Sequence, residues 1–300
     1  MLKVAYSPIY IHPLPKGHRF PMEKYELLPK QLLHEGTLEK ENFFEPIPVS
    51  LEEVCNVHSR AYVQKLITLD LSPKEARRTG FKLSKQLIER EFILAGGSKM
   101  NAFFALDFGC SMNIAGGTHH AYADKGEGFC LLNDIAIAAD VLLRAKKVKR
   151  ILVVDLEVHQ GNGTARIFQN NPNVFTFSMH GRSNYPMPKE LSDLDIPLED
   201  KTEDAEYLGV LNQSLEKIYK SFDPGFVFYQ SGVDVLDSDE LGRLSLSIQG
   251  CMQRDEEVFS FCKRKNLPVA VSMGGGYSED IRIILEAHSN TFRKAKEILF

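Results

Sequence analysis

Six short apolar runs punctuate this chain, at residues 3–6, 109–115, 151–156, 174–178, 226–230 and 269–273, with helical patterns between them. Runs of this kind, alternating with helices, belong to a parallel sheet covered on both faces. Ile135, Ala138, Ala139 and Leu142 share one face of a helix over 135–144, with Asn133 or Asp134 placed to cap it. Thr202 opens a segment with Tyr207, Leu208, Leu211, Leu215 and Ile218 at helical spacing. Ser278-Glu279-Asp280 puts two acids in the first turn of a last helix, where the dipole favours them. With no linker, repeat or low-complexity tract in sight, residues 1–300 read as one α/β domain.

The polar residues gather at one end of these runs. His119 and His120, in Gly116-Gly117-Thr118-His119-His120-Ala121, follow the second run. Glu157 and His159 follow the third, Asp234 the fifth and Tyr277 the last. Open α/β sheets bind ligands beyond the carboxyl ends of their strands, so four segments deliver chemistry to one edge.

Glu157 and His159 are two apart and point the same way on an extended chain. With Asp234 they make three ligands for a divalent metal and leave a position open, the catalytic rather than structural arrangement. In isolation, Glu157 and His159 would more often be a hydrogen-bonded pair at a strand end. Asp155, inside an apolar strand, needs a partner: an oriented histidine, a monovalent cation or backbone donors. His119 and His120 would point to opposite sides of an extended segment, so proton transfer suits them better than shared metal ligation. Tyr277, after three glycines, is placed to donate to an oxyanion. Phe129 would line a narrow apolar passage. Cys130 has no partner that would make it a nucleophile, and Gly161-Asn162-Gly163 lacks the lysine and spacing of a phosphate loop.

Net charge of −4 argues against a general nucleic-acid binder, and the basic run at 144–150 reads as a solvated helix end. The start of the chain lacks the apolar core of a signal peptide, and no run reaches transmembrane length. Five cysteines without Cys-x-x-Cys spacing read as reduced thiols, so the expected location is the cytoplasm.

Together these motifs resemble the histone deacetylase superfamily over nearly the whole chain. The resemblance rests on Gly116-Gly117-Thr118-His119-His120-Ala121, Gly128-Phe129-Cys130-Leu131-Leu132-Asn133-Asp134, Val154-Asp155-Leu156-Glu157-Val158-His159, Gly232-Val233-Asp234 and Gly274-Gly275-Gly276-Tyr277. Tyr6-Ser7-Pro8, His159-Gln160-Gly161-Asn162-Gly163 and Leu241-Gly242-Arg243-Leu244-Ser245 look most like the class IV branch and its bacterial relatives.

The resemblance implies a three-layer arginase/deacetylase fold, with a central parallel sheet flanked by helices. It implies zinc, or another divalent metal, on Glu157, His159 and Asp234, and His120 as the principal base beside His119. Tyr277 would polarise the amide carbonyl. Asp155, Ser178 and Met179 would complete an internal potassium site, with Asn162 orienting a histidine. Gly128, Phe129 and Gly275 would line an acyl-lysine tunnel, with Arg19 at its inner end. The implied substrate is an acyl-lysine protein or peptide, or an acylated small amine, carrying acetyl or a longer fatty acyl group. Two positions depart from the family: Glu157 stands where aspartate is usual, and Asn162 where some relatives carry aspartate. An arginase-like ureohydrolase would need a carboxylate-rich two-metal cluster that the sequence does not offer. The alternative is an acyl-lysine binding module whose catalysis is weakened by Glu157.

Overall fold

The computed structural model describes residues 1–300. In chain order the principal elements are β1 (Lys3–Ala5), α1 (Lys24–His34), β2 (Phe43–Phe44), α2 (Leu51–Val57), α3 (Arg60–Ile67), α4 (Pro73–Thr79), α5 (Lys85–Phe108) and β3 (Cys110–Asn113). They continue as α6 (Asp134–Arg144), β4 (Ile151–Asp155), α7 (Asn162–Phe168), β5 (Val174–Gly181), β6 (Leu194–Leu198), α8 (Asp204–Phe222), β7 (Phe226–Gln230), α9 (Ile248–Lys265), β8 (Val269–Ser272) and α10 (Ile281–Leu299). The strands form one eight-stranded sheet in the order β2-β1-β3-β8-β7-β4-β5-β6, and every neighbouring pair is parallel.

Strand periodicity divides the core in two. Ile151 and Val153 of β4, and Phe226 and Phe228 of β7, pack with Ala102 and Ala105 of α5 and with the apolar side of α6. Leu152 and Val154, with Val227 and Tyr229, face the opposite way, toward the cluster that contains Leu211 and Leu215 of α8 and Val258 and Phe259 of α9. Both faces are therefore dry, which is why the runs read as nearly continuous apolar stretches.

Several boundaries differ from the sequence reading. The edge strands β2 and β6 carry no signal of their own: one has two residues, and the other contains Pro197, which an edge tolerates. The strand that begins at Val174 runs on to Gly181 because β6 pairs with its far end. Asn133, not Asp134, caps α6 by accepting from the Ala136 N–H at 3.0 Å. Thr202 stands before α8, its hydroxyl donating to the Glu199 carbonyl, and the helix starts at Asp204. Asp280 caps α10 rather than lying in its first turn.

Candidate active site

The double histidine is positioned by the carboxylate that ends the Gly128-Phe129-Cys130-Leu131-Leu132-Asn133-Asp134 run. Asp134, the first residue of α6, accepts from the Thr118 N–H at 2.8 Å and hydroxyl at 2.7 Å with one oxygen. With the other it accepts from the Gly117 N–H at 3.1 Å and the Ser98 hydroxyl at 2.5 Å. This clamp, with Gly116 and Gly117 at φ of +86° and +80°, folds the segment after β3 into a turn. Because the segment is a turn and not a strand, His119 and His120 do not diverge: their rings lie 4.1 Å apart.

The two rings are tuned in opposite directions. His119 Nδ1 lies 2.7 Å from Asp155 Oδ2, and its Nε2 lies 3.5 Å from Glu157 Oε2. Burial alone would favour its neutral form, but Asp155 and Glu157 outweigh it and raise the imidazole to about 9. His120 is buried beside His119 and His159, and both effects push it well below the usual histidine value. Its Nδ1 meets Asn162 Oδ1 at 2.6 Å. The two imidazoles are thus biased in opposite directions, His119 toward its charged form and His120 toward its neutral form.

Glu157, His159 and Asp234 converge beyond β4 and β7. One donor atom from each lies within 4.8 Å of the others, and all three side chains are buried. His159 Nδ1 is 2.8 Å from Asp234 Oδ2, and Asp234 Oδ1 accepts from the Val158 N–H at 2.9 Å. Asp234 is held below the usual carboxylate range despite its burial, chiefly through His159.

The longer Glu157 side chain fits because glycines give it room. Its Oε1 accepts from the Gly275 N–H at 2.8 Å and from Gln230 Nε2 at 2.5 Å. A β-carbon on Gly274 would fall 1.9 Å from Oε1, and one on Gly232 would fall 2.5 Å from the same carboxylate. Burial, then Asp234, raises Glu157 to about 8, with His119 opposing. The cluster gathers more buried carboxylate than its histidines offset, and a divalent cation is the charge that this donor set lacks. The residues therefore fit a metal ion.

The remaining expected residues fall around this centre. Tyr277 is held by its N–H, which donates to Asp239 Oδ2 at 2.6 Å, and its ring is 6.1 Å from Phe129. Phe129 (φ +64°) and Gly128 shape the wall opposite, together with Phe20 and Phe81. Gly275 lies against Glu157 and Asp234. Ser178 pairs in register with Asp155, but its hydroxyl is 2.9 Å from His180 Nδ1; Met179 is buried beside it. Arg19 is a correction. It is exposed and lines the mouth, whereas the arginine lining the inner end is the buried Arg90, tied to the Tyr10 carbonyl at 2.7 Å and to Glu91. Its neighbours are the ones turned inward: His18 reaches the Gly80 carbonyl at 3.0 Å and Phe20 packs on Phe81 and Phe129, which leaves the Arg19 side chain between them outside. Cys130 is buried and its thiol pushed well up, as befits a packing residue.

Sequence reasoning gave Asp134 only a capping place and a motif position, and it missed Gln230, Lys24, Arg90 and Asp239. Gln230, a polar residue ending an apolar run, carried the same signal that singled out Asp155. Lys24 gave none: it is buried with its ammonium donating to the Gly274 carbonyl at 2.6 Å, and burial lowers it to about 8.

The histone deacetylase domain model matches residues 18–291. Over 98% of both chains, 41% of positions are identical to those of an uncharacterized protein of Picosynechococcus sp.. Histone deacetylase 2 of Arabidopsis thaliana is 31% identical, covering 93% of this chain and 75% of that protein. The crystal structure of a histone deacetylase homolog from Aquifex aeolicus superposes with a TM-score of 0.84 at 24% identity, covering 99% of this chain and 88% of that one.

Proposed function

This chain belongs to the histone deacetylase family, and on that premise we propose that it is a zinc-dependent amidohydrolase that removes an acyl group from lysine or a lysine-like amine. The observation that carries the reading is a cluster of three metal-type donors, one of which, Glu157, shares a narrow pocket with two oppositely tuned histidines and a tyrosine. A divalent ion on Glu157, His159 and Asp234 would supply Lewis acidity toward the acyl carbonyl and toward water.

The chain's own groups do the rest. His120 is neutral, and with Nδ1 facing an amide oxygen its proton sits there, so Nε2 is free to take a proton from water. The Tyr277 hydroxyl donates to the oxyanion as it forms. His119, charged through Asp155, stabilises that negative charge, and a protonated histidine returns a proton to the departing amine. Phe129, Gly128 and Gly275 confine the acyl-lysine chain. Asp155, Ser178 and Met179 are the side we assign to a structural potassium ion. Within the family, the His159-Gln160-Gly161-Asn162-Gly163 segment favours the class IV branch and its bacterial relatives, which makes long acyl chains candidates beside acetyl.

Lysine peptides bearing acyl chains from acetyl to myristoyl, assayed with measured metal content, test the reading. Turnover should require metal and fall sharply in Tyr277→Phe with metal retained. Unchanged turnover in that variant would overturn the assignment of Tyr277. A second reading, a binding module with weakened catalysis, draws support from Glu157 Oε1, which is already engaged by two donors and leaves a single oxygen for a cation. A large gain in Glu157→Asp would favour it, and equal rates would favour an enzyme adapted to glutamate.

A further inference from the structure

Outside the tunnel, Arg19, Arg78 and Arg243 line one hollow of about 440 Å³, with Tyr185, and it reaches inward to His120 and Tyr277. No aspartate or glutamate lines it. In a chain of net charge −4, three arginines around the approach to the candidate site reverse the overall sign. Arg19 and Arg78 make no ion pair. Arg243 reaches Asp200 at 3.4 Å, but the two side chains are 60% and 43% exposed, and a pair that open holds its partner weakly.

Beyond Tyr277, an adjoining hollow is of mixed charge, lined by Glu23, Glu240 and Glu279 together with Lys16 and Arg19. Acids therefore reach the entrance on that side only, and a substrate that crosses it meets arginine without a lining carboxylate on the Tyr185 side. The inner pocket is tight, with about 30 Å³ of free volume, so a large charged group stays outside. Four methylenes separate a lysine's amide nitrogen from its α-carbon, which places whatever the α-carbon bears at the mouth. Guanidinium forks recognise carboxylates there, because their geometry matches two oxygens at once.

We propose that the preferred substrate of this site is anionic: an acyl-lysine-type amide whose unacylated end carries a carboxylate, received by Arg78 and Arg243 with Arg19 beside them. The inference rests on the amidohydrolase reading and narrows it, placing basic tails and polyamines among the poor substrates. The carboxylate is either the α-carboxylate of a free acyl amino acid or an aspartate or glutamate side chain of a peptide.

The test compares Nα-acetyl-Nε-acyl-lysine as the free acid and as its carboxamide, and peptides in which acyl-lysine is flanked by aspartate, serine or arginine. The acid or the aspartate peptide should exceed its neutral counterpart about tenfold in kcat/KM at low salt, with the arginine peptide lowest, and the ratio should shrink at high salt. Preference confined to the free acid assigns the α-carboxylate, and preference confined to the aspartate peptide assigns the side chain. Arg78→Glu together with Arg243→Glu should invert the order, an outcome that general damage to the fold cannot produce. Equal kcat/KM for neutral and acidic members, or a preference that survives charge reversal, overturns the inference and leaves the amidohydrolase reading standing. Absence of turnover across the whole panel in metal-loaded protein overturns both.

Discussion

Asn162 Oδ1 lies 2.6 Å from His120 Nδ1, while the same amide's Nδ2 donates to Tyr122 Oη at 3.0 Å and to Glu127 Oε1 at 2.9 Å. The two acceptors on the nitrogen side settle which way the amide faces, so His120 carries its proton on Nδ1 and presents Nε2 bare. Asparagine thus sets the tautomer as an aspartate would, without the charge that would favour the imidazolium.

Asn162→Asp restores that charge. A carboxylate in hydrogen-bond contact favours protonated His120 and raises its pKa, although Glu127, now bonded to the Asn162 amide nitrogen, opposes the new charge. The acid limb of the kcat/KM profile should move to higher pH, read from pH–rate curves of the two proteins. An unmoved limb would remove His120 from the role of base.

Gly274→Ala tests how Glu157 is accommodated. The residue has φ of +64°, and its added β-carbon would meet Oε1 at 1.9 Å. The carboxylate must move, and strain together with displaced hydrogen bonds should cost about 2–4 kcal/mol of stability. Bound divalent metal should fall well below that of the wild type by elemental analysis, and denaturant unfolding gives the stability loss.

Asp239 is a positioning residue for Tyr277. Its Oδ2 accepts from the Tyr277 N–H, and its Oδ1 from the Leu241 and Gly242 N–H groups at 2.9 and 2.8 Å. Asp239→Asn sets an amide NH₂ against backbone donors on one side or the other. Displacement of Tyr277 should lower kcat about ten- to a hundredfold while metal content stays at the wild-type level. A KM change alone would count against this role.

His58 makes stability depend on pH. It is buried, with Nδ1 donating to the Tyr122 carbonyl at 2.9 Å and Nε2 accepting from the Asn133 N–H at 3.0 Å. Desolvation lowers it to about 4 from an ordinary 6.5. Above 6.5 the ring is neutral whether folded or not, and its contribution is fully present. Between 6.5 and about 4 only the unfolded chain binds the proton, so stability falls with pH, by about 3 kcal/mol if this group acted alone. Denaturant midpoints measured from pH 7 to 4 should show a shallower decline in His58→Gln, which starts from lower stability. Parallel curves would exclude His58 as the source.

The layered α/β fold was legible because two-sided burial leaves its mark residue by residue along β4, β7 and β8. The edge strands β2 and β6 were not legible, since they are defined by a neighbour rather than by their own polarity. The same contrast runs through the site. His119, His120, Glu157, His159, Asp234 and Tyr277 stood out because each breaks an apolar run or follows glycines at a strand end. Lys24 and Arg90 did not, because a basic residue inside a helical pattern reads as solvated until the packing of that helix is known.

Sequence alone thus determined six of the eight strands, the edge at which the polar residues gather and the metal-type donor set, all of which follow from local pattern and strand polarity. Tertiary structure decided the rest. It bent the double histidine into a turn under Asp134, gave His119 and His120 opposite charge preferences and opened glycine space around Glu157. It also moved Arg19 from the inner pocket to the mouth and put Arg90 in its place. Each of these depends on distances between segments far apart in the chain, and the electrostatics of a buried group is set by whichever groups the fold brings within a few ångströms of it.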